Sequence, residues 1–127
     1  MSTPFDPAAG LVQVTVVIEG PTGRAVVRAG LDTGSERTLI DLDTLIAVGY
    51  DPLTAKKHKR ITTASGVVTV PIFTVKRIQA LDAEQTDAEV IGHTLPPTSS
   101  VQGLLGLNFF RGRVLNIDFQ TGLIEVT

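Results

Sequence analysis

The chain has 127 residues, 43% apolar and 19% charged, with a formal net charge of −2. That length and balance describe one globular domain with a single core rather than a disordered segment. Acidic and basic residues are interspersed, so no basic field of the kind nucleic acid requires is built, and cysteine is absent, which removes disulfides, thiolate catalysis and cysteine-ligated zinc.

Residues 1 to 10 contain two prolines and a glycine and read as a flexible N-terminal arm, followed by one domain over residues 11 to 127. The arm lacks the basic-then-apolar pattern of a signal peptide, and no run approaches the roughly 20 apolar residues of a membrane helix. The default expectation is a cytoplasmic chain without membrane contact. Leu11 to Glu19 is rich in β-branched residues with partial alternation and predicts a strand. Gly20-Pro21-Thr22-Gly23 is a turn, and Arg24 to Leu31 returns as the second strand of a hairpin.

That strand runs into Asp32-Thr33-Gly34-Ser35, after which Arg37 to Ile40 is short and strand-like. Asp41 is placed to cap a short helix reaching Val48, with Leu42, Leu45 and Ile46 on one face and Gly49 as the stop. Tyr50-Asp51-Pro52 is a loop, and the basic cluster Lys56 to Arg60 reads as a solvated strand face. Ile61 to Ala64 and Val67 to Val70 flank Ser65-Gly66 as a second hairpin, and Pro71 marks where that hairpin leaves the main sheet or lies on an edge. Ile72 to Ile78 continues as strand, residues 82 to 89 read as an acidic surface turn, and Val90-Ile91 as a brief strand.

Pro96 to Ser100 is a stiff loop, Leu107 to Arg111 one or two helical turns, and Val114 to Phe119 with Leu123 to Val126 a last hairpin around Gln120-Thr121-Gly122. The sum is a mainly β domain with one or two short helices, arranged as a small closed barrel.

Asp32 is the informative residue. An ionised carboxylate at the end of an apolar strand is costly unless hydrogen-bonded or paired. Gly34 allows a tight turn that aims amide groups at it, and Thr33 and Ser35 set hydroxyls beside it. Asp-Thr-Gly is also an ordinary turn sequence, so a second feature is needed. Leu104-Leu105-Gly106 supplies one: two apolar residues and a glycine let a buried strand pass close behind the Asp loop, although a core strand ending in a turn reads the same way. His58 and His93 have no metal-ligand spacing, and neither a metal nor a cofactor is expected.

The order Asp32-Thr33-Gly34-Ser35, a hairpin around Gly66, then Leu104-Leu105-Gly106 resembles the single-lobe retropepsin family of aspartic proteases, cellular and bacterial type, from about Leu11 to the C-terminus. The resemblance implies an all-β acid-protease barrel with one lobe per chain. It implies an aspartic endopeptidase whose water is activated by an Asp dyad. Only one Asp-Thr-Gly is present, so a homodimer would supply the second Asp32. Thr33 would then bond across the two-fold axis, Gly34 would face substrate, and Ser35 would reach the outer oxygen of Asp32. Glu36 would either touch the substrate backbone or pair with Arg111 or Arg113. Thr63, Ala64, Ser65, Gly66 and Val67 would belong to a flap closing over an extended polypeptide substrate, and Leu104, Leu105 and Gly106 would support the loop.

A non-catalytic dimerisation or peptide-binding module on the same fold is the alternative. A serine hydrolase using Ser35 or Ser65 with His58 or His93 is a further rival, but no Gly-x-Ser-x-Gly elbow is present. A purely structural β-barrel would leave the Asp32 surroundings without a role.

Overall fold

Alternation of apolar and polar residues builds the first hairpin. In the computed structural model, which describes Met1–Thr127, β1 is Ser2–Pro4 and β2 is Gln13–Gly20. Val14, Val16 and Ile18 of β2 face inward and are fully buried, while Thr15 faces out. β3 (Gly23–Leu31) pairs antiparallel with β2 from Gln13↔Gly30 to Gly20↔Gly23, leaving a two-residue Pro21-Thr22 turn. β4 (Thr38–Asp41) leads into α1 (Leu42–Ala47), and β5 (Lys57–Thr63) pairs with the first part of the long β6 (Gly66–Ala80). β7 (Ala83–His93), β8 (Gly103–Leu105), α2 (Leu107–Phe110), β9 (Leu115–Asp118) and β10 (Leu123–Val126) complete the chain.

Strands are hydrogen-bonded in the order β2-β3-β8-β4-β7-β6, and β2 pairs back onto β6, so these six close a barrel. The interior holds Ile18, Ile40, Leu45, Val75, Ile78, Leu105 and Phe109 among its fully buried side chains. Burial of side chains this size contributes about 1.5–3 kcal/mol each. The result is the all-β, small closed barrel with two short helices that the sequence predicts.

Four local expectations are corrected. Residues 82 to 89, expected as a surface turn, lie almost wholly in the 11-residue strand β7. The turn itself is only Leu81-Asp82, both at positive φ (54° and 60°), between the paired Ala80 and Ala83. Two left-handed residues give the turn whose twist matches a hairpin, here without the glycine that usually signals it. Part of the supposed arm is also strand: Ser2–Pro4 pairs with β10, Thr3 lying opposite the buried Ile124. Asp41 does sit at the N-cap of α1, but its carboxylate accepts from Leu95 N (2.9 Å) rather than from the helix. Within α1, Leu45 is buried, whereas Ile46 is exposed.

The seam between β2 and β6 is three residue pairs long, Val17↔Gln79 to Glu19↔Arg77. Tyr50 extends it with a side chain: its hydroxyl donates to Glu19 O (2.9 Å) and accepts from Lys76 N (2.8 Å). Burial pushes the Tyr50 phenol above its ordinary value of 10.0, partly opposed by the hydrogen bond from Lys76 N. Tyr50→Phe removes both bonds while keeping the ring against Phe73. It is expected to lower stability by about 1 kcal/mol, since the freed groups are partly hydrated, read as a lower urea midpoint with an unchanged m-value.

Candidate active site

β8 lies between β3 and β4, parallel to the first (Gly30↔Leu104, Leu31↔Leu105) and antiparallel to the second (Leu39↔Leu104, Ile40↔Gly103). The segment joining β3 to β4, residues 32–37, therefore has to pass over the C-terminal end of β8. Gly106 occupies that crossing. A Cβ on Gly106 would lie 2.5 Å from Arg37 O and 2.9 Å from Ser35 O, both backbone atoms, so no side chain fits there. The expected close passage of Leu104-Leu105-Gly106 behind the Asp loop is what the structure has.

Backbone bonds tie the loop down on each side of the crossing. Asp32 N donates to Leu105 O (3.0 Å), Leu107 N to Ser35 O (2.8 Å) and Asn108 N to Glu36 O (3.2 Å). Within the loop, Ser35 N donates to Asp32 O (3.2 Å) and Gly34 N to Asp32 Oδ1 (2.9 Å). The amide of Gly34 thus fixes the plane of the Asp32 carboxylate, which is half-buried, while Thr33 and Gly34 are exposed at the loop tip. Asp32 lines none of the five cavities; a polar one of about 330 Å³ is lined by Glu36 and Arg37 from the end of the loop with Glu89, Asn108 and Arg111 among others.

Two residues that no local pattern marks complete the support. Thr38 is the one fully buried polar residue of the core. Its hydroxyl accepts from Gly106 N (3.1 Å) and donates to Asn108 Oδ1 (2.9 Å), and its own N–H donates to the same oxygen (2.8 Å). The Asn108 amide then donates to Glu89 O (2.7 Å), joining β4, α2 and β7 behind the loop. The partners are about 70 positions apart in sequence, so only the fold brings them together.

Ser35 does not reach Asp32 within the chain. Its hydroxyl donates to Arg37 O (2.7 Å), the short-range bond that serines favour in turns. Glu36 pairs with neither Arg111 nor Arg113. Its carboxylate meets Lys59 Nζ at 3.0 Å, and Arg113 is instead bonded to Glu84 O and stacked over Phe109. The hydrogen bond from Lys59, then the charges of Lys59 and Arg37, hold the Glu36 carboxyl below its ordinary 4.5, and Arg111 adds to this from further off. Glu89 is lowered likewise, first by its hydrogen bond from Lys57.

Thr63, Ala64, Ser65, Gly66 and Val67 form the tip of the β5–β6 hairpin and are largely exposed. The Thr63 hydroxyl donates to Gly66 O (3.0 Å) and closes the turn, and Gly66 has φ +126°, which a side chain disfavours. No hydrogen bond joins this tip to Asp32, Thr33 or Gly34; Lys59–Glu36 is the polar link between the hairpin and the loop. The serine-hydrolase pairing finds no support here, because Ser35 and Ser65 bond Arg37 O and Thr63 rather than a histidine.

A closed barrel of one lobe, carrying one aspartate on a loop wrapped around a glycine-ended strand, defines the class of single-lobe acid-protease folds. Residues 14–112 match the family profile described as gag-polyprotein putative aspartyl protease, and the chain belongs to that family. Among solved structures it is similar to a retropepsin-like aspartic protease from Rickettsia conorii, at 16% sequence identity and a TM-score of 0.73, over 99% of this chain and 90% of that one. At that identity the likeness is one of fold. No curated protein sequence gives a match.

Thr38→Val keeps the volume but leaves Gly106 N without its acceptor and Asn108 Oδ1 with the Thr38 N–H alone. The expected loss is about 1–3 kcal/mol of unfolding free energy, measured by denaturant titration, with Thr38→Ser retaining most of it.

Proposed function

We propose that the chain is one half of a homodimeric aspartic endopeptidase in which Asp32 from each of two copies forms the catalytic dyad. The observation that carries this reading is the Asp32 carboxylate held by Gly34 N at 2.9 Å on a loop clamped over Gly106. A rigidly held carboxylate at an exposed loop tip, outside any cavity of its own chain, is suited to be half of a site that a two-fold axis completes. The exposed Thr33 is available for contact across that axis, and Gly34 leaves room for substrate backbone.

Two carboxylates close together share one proton. The charged one takes a proton from water, and the protonated one gives its proton to the scissile carbonyl oxygen. Water oxygen bonds to the carbonyl carbon and gives a tetrahedral diol. Its collapse breaks the C–N bond as a proton passes to the leaving nitrogen. The β5–β6 hairpin, with Thr63 to Val67 at its tip, serves as the flap that closes over an extended peptide and excludes water. Neither a covalent enzyme intermediate nor a cofactor is called on.

Asp32→Asn is expected to reduce cleavage of a peptide library by at least about a hundredfold, the scale of lost general acid–base catalysis. Sedimentation should give a mass twice 13.5 kDa for both wild type and variant. Cleavage unaffected by the substitution, or full activity in a monomer, would overturn the proposal. A wild-type dimer that binds extended peptides but cuts none would leave the non-catalytic module in its place.

A further inference from the structure

Residues 57–71 form a two-stranded arm outside the barrel. β5 pairs only with β6, and Gly66 to Pro71 of β6 pair only with β5; from Ile72 onward β6 joins β7. Two strands alone are marginal in water, so the position of the arm depends on what its inward face touches. Along β5, Lys57, Lys59, Ile61 and Thr63 share that face by two-residue alternation. Ile61 and Val68 pack on a small apolar cluster of Val70, Ile72 and Ile91. Such packing is non-directional and does not by itself fix the arm.

The lysines on the same face add direction. Lys57 Nζ lies 2.8 Å from Glu89 Oε2 on β7, and Lys59 Nζ 3.0 Å from Glu36 Oε2, four positions beyond Asp32. Arg37 Nε, 3.7 Å from Glu89 Oε1, ties the Lys57–Glu89 pair to the Asp loop at the residue next to Glu36, so both pairs end on that loop. Lys56, His58 and Arg60, on the opposite face, are exposed and make no ion pair, so pairing within the basic cluster is confined to the side facing the barrel. An exposed pair contributes little to stability, but one seated on a fixed backbone anchor restrains geometry. Glu36 is such an anchor, because its carbonyl is bonded by Asn108 N.

We propose that the Lys59–Glu36 pair, backed by Lys57–Glu89, is an electrostatic latch setting the position of the hairpin against the Asp loop, and that Lys59 is thereby a positioning residue of the substrate cleft. The latch itself rests on the geometry; its effect on turnover rests on the endopeptidase reading. The charged groups around Glu36 are Lys59 from β5, Arg37 from the loop and Arg111 beyond α2, all cationic. A carboxyl lowered in the folded state contributes above its ordinary range and loses its effect as pH falls through its folded value. The latch therefore releases only as the pH falls below the ordinary carboxylate range.

The test is amide hydrogen exchange by mass spectrometry on the full chain, with peptide kinetics in parallel. Lys59→Met is expected to raise exchange severalfold across residues 57–71 and nowhere in the barrel, and to raise KM with kcat little changed. Lys56→Met should leave exchange as in wild type. Lys59→Arg, which keeps the charge, should keep protection near that of wild type, and the difference between wild type and Lys59→Met should vanish at acid pH. Unchanged exchange in Lys59→Met, or a Lys59→Arg no more protected than Lys59→Met, would overturn the latch. The expected exchange pattern in a wild type that cuts no peptide would keep the latch and overturn the endopeptidase reading alone.

Discussion

The constraint on which the site depends is the crossing of the 32–37 segment over the end of β8 with no side chain between them. β3 and β4 cannot pair with each other because β8 lies between, so the connection must arch over that strand. Gly106 permits an approach in which even a methyl group would sit 2.5 Å from Arg37 O. Leu105 O, Leu107 N and Asn108 N then each hold one residue of the arch, so the position of Asp32 is set from beneath by backbone alone. Thr38 and Asn108 satisfy the polar groups that this arrangement buries.

Most strands were legible because one face of each is buried. Val14, Val16 and Ile18 announce β2 by period-two alternation, and the Ser65-Gly66 signal falls at the turn between β5 and β6. Pro71 is informative too: it ends the stretch of β6 that pairs with β5 alone. β7 was hidden because its first half faces water with Glu84, Thr86 and Asp87, and because Leu81-Asp82 makes its turn without glycine. β1 was hidden because a strand of three residues with a proline carries almost no pattern and depends on β10 for its pairing.

The site divides along similar lines. Asp32, Gly34 and Gly106 could be read because their chemistry is local: a carboxylate, a tight turn and a close approach. The hydroxyl of Ser35 and the carboxylate of Glu36 could not, because their partners depend on loop conformation and on a strand 23 residues away. Thr38 and Asn108 are ordinary residues until β4 and α2 are set side by side. Family membership follows from the match over residues 14–112 together with this architecture.

A single chain contributes one braced carboxylate, and the hydrolytic account needs its twin from a second copy. Mixing wild type with the Asp32→Asn subunit under exchanging conditions tests that need most directly. If each active site takes one aspartate from each of two chains, activity falls as the square of the wild-type fraction. A decline in simple proportion to that fraction would mean that every chain works alone, and would contradict the shared dyad.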